Sequence, residues 1–299
     1  MSLVLKNVSK SFVGKKAVDN ISLELNKPGV YGLLGTNGAG KTTTIRMILG
    51  ILKKDSGEIT WNGKEVNRKS VNFGYLPEER GVYPKTKIYD QLMYFAELKG
   101  MDKQSADKSI KKWAKELKVE EYMQMTAEKL SKGNQQKIQF ITAILNEPRL
   151  LILDEPFSGL DPFNVELFKQ EIIEMSKKGS MIIFSSHRME HVELFCKKLC
   201  VITKGKVVLE GYLKDIKEQF RKKNIIVEGD IDIDKIKKIK GVLEVIEKGN
   251  SYQIKIESKE VNDDVFKVVS KSNNITKYAL EEPSLEEIFV AKVGEAYEK

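Results

Sequence analysis

Val30-Tyr31-Gly32-Leu33-Leu34-Gly35-Thr36-Asn37-Gly38-Ala39-Gly40-Lys41-Thr42-Thr43 is the stretch that decides how this chain folds. It opens as a short apolar run of strand type and, from about residue 41, passes into helical periodicity. Between the two lies the pattern GxxxxGK[ST]. Glycines at 35, 38 and 40 allow the backbone to curl so that successive amide hydrogens face one anion, where a Cβ would intrude. The start of the helix adds a partial charge of about +0.5 at the same point. Lys41 is placed to reach the β- and γ-phosphates of a nucleotide, and Thr42 to offer its hydroxyl to Mg²⁺. Thr36, Asn37, Ala39 and Thr43 complete the predicted cradle. Strand, loop, Lys-Thr and helix in this order separate a phosphate loop from an ordinary glycine-rich turn.

A phosphate loop needs acidic partners, and one segment supplies them. Leu150-Leu151-Ile152-Leu153-Asp154-Glu155-Pro156 is an apolar run ending in two carboxylates, as expected of a buried strand that delivers acids to its C-terminal edge. Asp154 is the predicted Mg²⁺ anchor. Glu155, directed differently by side-chain alternation along the strand, is the candidate for orienting an attacking water. A second apolar run, 180–186, ends at His187, a candidate to hydrogen-bond the terminal phosphate, against a merely structural strand-end histidine. His187, His191, Cys196 and Cys200 fall close together, but their spacing across a strand end and the next strand does not suit four converging zinc ligands. Both cysteines read as small buried packing residues.

Residues 1–220 interleave β-rich runs with helical patterns such as 42–52 and 163–178, which predicts an α/β domain. After Phe220 the composition shifts. Residues 221–299 read as strand 224–228, helix 234–240, strands 242–247 and 251–257, helix 261–271, strand 275–281 and a final helix from Ser284. That βαββαβ order predicts a small α+β ferredoxin-like domain, and Ser284 with Glu287 three residues later forms a capping-box start for the last helix.

With 299 residues, 41% hydrophobic and 31% charged, the chain suits about two globular domains and excludes a disordered or collagen-like class. The formal net charge is +8, yet residues 221–299 carry 15 Lys/Arg and 16 Asp/Glu, so the basic excess belongs to 1–220. Two cysteines make no disulfide framework, and the N-terminus shows no signal core. A reducing, cytoplasmic setting is therefore expected. No apolar stretch approaches the ~20 residues of a membrane span, so a membrane role requires another chain.

Leu130-Ser131-Lys132-Gly133-Asn134-Gln135-Gln136-Lys137 lies just before the acidic strand and resembles the LSGGQ signature of ATP-binding cassette (ABC) ATPases. Phosphate loop, signature, acidic strand, Ser158-Gly159-Leu160-Asp161 and His187 match that family in order and spacing across essentially all of 1–220. The resemblance implies a two-lobed cassette, a RecA-like core with a helical subdomain, that binds ATP in a head-to-tail dimer. Each ATP would lie between one subunit's phosphate loop and the other's signature, with Ser131, Gly133 and Asn134 forming the second cradle. Asp161 would sit in the loop crossing between subunits. Phe12 falls where the family stacks an aromatic on adenine; a core aromatic is the competing reading.

Two departures from the family pattern stand out. Lys132 and Asn134 replace a usual Gly and Gln, and Glu78, after Tyr75-Leu76-Pro77, replaces a usual glutamine while remaining a possible Mg²⁺ ligand. Residues 75–84 and the ending 281–289 resemble the branch that powers bacterial ABC-2-type exporters, including sodium-extrusion systems. That resemblance implies a separate transmembrane permease, contacted through residues 77–100, and a peripheral location on the cytoplasmic face of the membrane. A homodimer and a heterodimer with a second ABC ATPase are both compatible, and no nucleic-acid partner is expected. Only 89 residues separate Lys41 from Ser131, which leaves no room for the coiled-coil insertion of chromosome ATPases. A soluble ABC ATPase or a nucleotide-gated scaffold is the alternative. Lysines 99, 103, 108, 111, 112, 115 and 118 form a basic stretch, read as a solvated helix surface or as a face toward anionic lipid. The C-terminal domain is open to a regulatory, dimer-contacting or stabilising role.

Overall fold

The computed structural model describes residues 1–66, 71–79, 81–272 and 274–297; Arg80, within the 75–84 segment, lies outside them. The chain forms two compact units, Met1–Glu210 and Gly211–Lys299. In chain order the first contains β1 (Leu3–Phe12), β2 (Lys15–Leu25), β3 (Gly29–Leu34), α1 (Lys41–Ile48), β4 (Ser56–Trp61), β5 (Lys64–Glu65) and β6 (Phe73–Leu76). Helices α2 (Ile88–Leu98), α3 (Lys103–Glu116) and α4 (Lys132–Ile144) follow. Then come β7 (Leu150–Asp154), α5 (Pro162–Lys177), β8 (Met181–Ser186), α6 (Met189–Phe195), β9 (Lys198–Thr203) and β10 (Lys206–Tyr212).

Two sheets share the work of this unit. One has the order β2-β1-β4-β5 with antiparallel pairing, and the other the order β10-β9-β3-β8-β7-β6, parallel from β9 to β6. Every residue of β7 and β8 is buried, as expected of strands covered on both faces. One face packs Leu33, Ile152 and Ile183 with Ile45 and Ile48 of α1 against Leu5, Ile21 and Ile59 of the antiparallel sheet. The other face is sealed by aromatics. Phe140 of α4 stacks on Phe168 of α5 at 4.4 Å, and Phe184 of β8 meets Phe157 and Phe195 at 5.1 and 4.9 Å. Helices α2 and α3 form the helical part, holding Leu92, Ala96, Ile110 and Trp113 out of water.

Lysines 103, 108, 111, 112, 115 and 118 of the basic stretch are exposed, as a solvated helix surface requires. Lys99 leaves it: its ammonium donates to the carbonyls of Thr142 and Ala143 at 2.6 and 3.0 Å and to Asn146 Oδ1 at 3.4 Å, satisfying the C-terminal end of α4. Lys111 pairs with Asp107, and Lys112 pairs with Glu147 and lies over the Trp113 ring.

The second unit holds α7 (Leu213–Gln219), β11 (Lys223–Glu228), α8 (Ile233–Lys237), β12 (Val242–Lys248), β13 (Ser251–Ile256), α9 (Asn262–Val269), β14 (Lys277–Glu281) and α10 (Leu285–Tyr297). Its sheet has the order β12-β13-β11-β14, wholly antiparallel, which is the ferredoxin-like arrangement. Ile225, Val227, Ile254 and Ile256 pack on Ile236, Val265 and Val269. The division at 210/211 falls ten residues before the compositional boundary at 220/221. The intervening α7 buries Ile216, a contact that composition does not reveal.

Candidate functional site

Strand register assembles the site. In the parallel sheet Leu34 lies opposite Ser186, and Asp154 opposite Ser185. The phosphate loop, the acidic pair and His187 therefore leave the sheet at one edge. The loop and the acidic pair bound a cleft of about 210 Å³ lined by Ala17, residues 36–43, Glu78, Asp154 and Glu155, while His187 stands behind Glu155 and is not among the lining residues.

Within the loop the curl is enforced by close contacts. A Cβ on Gly35 would stand 2.3 Å from the Ile202 carbonyl oxygen, and one on Gly40, at φ +108°, 2.4 Å from that of Ala17. Lys41 opens α1, is 7% exposed, and donates to the carbonyls of Gly35 and Thr36 at 2.7 and 3.3 Å. Burial lowers its pKa, while the charges of Glu155, Asp154 and Glu78 oppose that shift. The Thr42 hydroxyl donates to Asp154 Oδ2 at 3.0 Å, and Ser185 Oγ donates to Asp154 Oδ1.

Alternation along β7 does not orient Glu155. The strand ends at Asp154, and Glu155 adopts a left-handed conformation, φ +49°. Its amide donates to the Ser185 carbonyl, and its carboxylate accepts from Ser186 Oγ at 3.3 Å and from the His187 amide at 2.7 Å. His187 Nδ1 lies 2.8 Å from the same oxygen, Glu155 Oε1. With an ionised Glu155 the proton sits on Nδ1, so Nε2 is the nitrogen that faces away from the pair. Left-handed backbone in a residue other than glycine costs about 1–3 kcal/mol and is held here by these bonds.

The other predicted residues lie outside this cleft. Ser131 caps α4, its hydroxyl accepting from the Asn134 amide at 3.3 Å. Asp161 caps α5 in the same way, accepting from the Asn164 amide at 2.9 Å. That amide bond, with the Asn164 side-chain bond, outweighs desolvation and holds the Asp161 carboxyl below its usual range. Gly133 packs beside Leu160 and Asn164, so the signature and Asp161 form a second group. Phe12 joins neither. It ends β1 45% exposed, with the Lys10 ammonium 5.5 Å from its ring centroid, which removes the core-aromatic reading.

Sequence reasoning missed four residues. Ala17 lines the cleft and carries no signal. Ser185 orients Asp154; the hydroxyl at the end of an apolar strand was the available hint. Gln136, 3% exposed, donates to the Pro156 carbonyl at 3.1 Å, and Gln139 to the Glu79 carbonyl at 3.0 Å. These two amides fasten the signature helix to the segments bearing Glu155 and Glu78. Cys196 and Cys200 are buried, with burial pushing both thiols up, Cys200 to about 12.

Comparison with known proteins supports this architecture over the whole chain. Residues 18–158 match the family model "ABC transporter", and 211–293 match "ATP-binding protein DrrA1-3-like, C-terminal domain". YhaQ, an uncharacterized ABC transporter ATP-binding protein of Bacillus subtilis (strain 168), is 49% identical over 297 residues, covering 99% of this chain and all of the relative. The chain belongs to the ABC transporter ATP-binding proteins. Its cassette binds ATP and is an ATPase domain. The lipopolysaccharide export system ATP-binding protein LptB of Haemophilus influenzae is 29% identical over 70% of this chain and 90% of its own. A solved structure, the ATP-binding subunit of an ABC transporter, superposes with a TM-score of 0.68 at 28% identity, covering 74% of this chain and 93% of that one. Among the described residues of the cassette and its added unit, no helix is long and apolar enough to cross a membrane.

Proposed function

We propose that this chain is the ATP-hydrolysing subunit of an ABC-type membrane exporter, working at the cytoplasmic face of the membrane as a dimer with a separate transmembrane permease. One observation carries the reading. The phosphate loop, Asp154 and Glu155 line one cleft, with His187 bonded to Glu155, whereas Ser131, Gly133 and Asn134 form a group outside it. A second cassette would bring its own signature to this cleft, so that ATP ties the two together and hydrolysis unties them. The likeness to LptB, the ATP-binding protein of a lipopolysaccharide export system, supports export as the task.

Hard oxygen donors suit Mg²⁺. The Thr42 hydroxyl and Asp154 carboxylate already share a hydrogen bond, and Glu78 lines the same cleft. Among the described residues no three His, Cys, Asp or Glu side chains converge on one point, so phosphate and water would complete the shell. When bound, Mg²⁺ supplies charge neutralisation for the phosphates. Loop amides and Lys41 hold the β- and γ-phosphates. Glu155 accepts the proton of the attacking water, and the His187 ring, held on Glu155 through Nδ1, would donate to the γ-phosphate from Nε2–H as the imidazolium, since the neutral Nδ1–H ring has only a lone pair there. Phe12, on the exposed end of β1, would offer a ring face to adenine.

Glu155→Gln tests the proposal because the amide keeps the shape and loses the basicity. ATP binding should persist, turnover should fall at least ~100-fold, and a stable ATP-loaded dimer should appear by size exclusion. Wild-type turnover in this variant would remove Glu155 from its role. Absence of Mg²⁺-dependent phosphate release, even with the permease present, would favour the scaffold reading.

A further inference from the structure

The phosphate cleft carries more acid than base. Its lining side chains include three carboxylates, Glu78, Asp154 and Glu155, and one cation, Lys41. Asp154 is engaged by Thr42 and Ser185, and Glu155 by Ser186 and His187. Glu78 is exposed at the mouth of the cleft, and its charge reaches both Lys41 and Tyr75. Its segment is not loose on the cassette, because Gln139 of α4 holds the adjacent Glu79 carbonyl.

Free ATP carries about four negative charges near neutral pH and its magnesium complex about two. A carboxylate at the mouth therefore discriminates between them by charge alone. We infer that Glu78 makes nucleotide binding conditional on the metal: ATP enters this cleft as its divalent-cation complex, and the metal-free nucleotide is repelled. This rests on the ATP-binding reading above and adds to it a role for one side chain in choosing the form of the ligand. Backbone amides and Lys41 attract both forms; the extra carboxylate opposes chiefly the metal-free form, which carries about two more negative charges. At cleft distances and a dielectric between protein and water, that difference corresponds to about tenfold in affinity.

The test is calorimetric titration of the full-length protein with a non-hydrolysable ATP analogue, once with excess MgCl₂ and once with excess EDTA. Wild type, Glu78→Gln and Glu79→Gln are compared, the last being a control at an exposed neighbour that does not line the cleft. Glu78→Gln should bind the metal-free analogue about tenfold more tightly than wild type, and Glu79→Gln should not. Added KCl should narrow the metal-free gap between wild type and Glu78→Gln, because screening weakens the repulsion. Equal metal-free affinities in wild type and Glu78→Gln would overturn the inference. So would an equal gain in Glu79→Gln, which would make the effect one of general surface charge. If wild type failed to bind the magnesium complex, the ATP-binding reading itself would fall. A weaker Glu78→Gln magnesium complex, with metal-free affinity unchanged, would make Glu78 a metal ligand only and sink the gate.

Discussion

Gly40 shows how much of the site is decided one residue at a time. Its φ of +108° and the Ala17 carbonyl, 2.4 Å from where a Cβ would stand, leave no space for a side chain. Gly40→Ala should weaken ATP affinity at least tenfold and lower stability by about 1–3 kcal/mol, read by nucleotide titration and thermal melting. Unchanged affinity would show that the loop can shift without losing its curl. The need for glycine at this position is legible in the sequence, because the loop pattern demands it. Ala17, the residue that makes the demand absolute, is not, since it lies on another strand and has no distinguishing chemistry. The same contrast holds for Glu155. Its identity is plain beside Asp154, but its left-handed turn toward His187 follows from Ser185 and Ser186, about thirty residues away on β8.

Helix α4 gathers the connections that make the cassette one mechanical piece. Ser131 caps its start, Lys99 satisfies its last carbonyls, and Gln136 and Gln139 tie its flank to the segments carrying Glu155 and Glu78. Lys99→Met keeps the aliphatic stem and removes the donors, so it should destabilise the protein by about 1–3 kcal/mol near neutral pH. Burial pushes the Lys99 pKa down to about 8 from an ordinary 10.5. Between those values the unfolded chain binds more protons than the folded one. The wild-type advantage over Lys99→Met should consequently grow as pH rises from about 8 toward 10.5. Urea melts of both proteins across that range measure it, and an advantage that shrinks with pH would contradict the assignment. In the sequence Lys99 is one lysine among seven in a basic stretch. Nothing local separates a helix-capping ammonium from a solvated one.

At the scale of the whole chain, the second unit depends on a polar anchor. The capping box at Ser284 forms as its sequence predicts, and Glu287 does more than cap. Its carboxylate accepts from Asn224 of β11 at 2.7 Å and Gln253 of β13 at 2.9 Å, fixing α10 to the sheet. Burial raises the Glu287 pKa, but the Ser284 amide, Asn224 and Gln253 outweigh it, and the net shift is below the ordinary 4.5. Its stabilisation is thus complete above that value and lost as pH falls through the lower folded pKa. Glu287→Ala should cost about 1–3 kcal/mol and speed amide exchange in β11 and β13, and unchanged exchange there would remove its anchoring role. By itself the sequence determined the phosphate loop, the acidic strand end, the signature and the order of elements in both units. Each is written in neighbouring residues whose spacing matches a strand, a turn or a helix. Tertiary structure alone decided that Glu155 meets His187, that Ser185 holds Asp154, that Lys99 caps α4 and that α7 belongs with the second unit. Those contacts depend on strand register and side-chain packing between segments distant in the chain, which local periodicity does not encode.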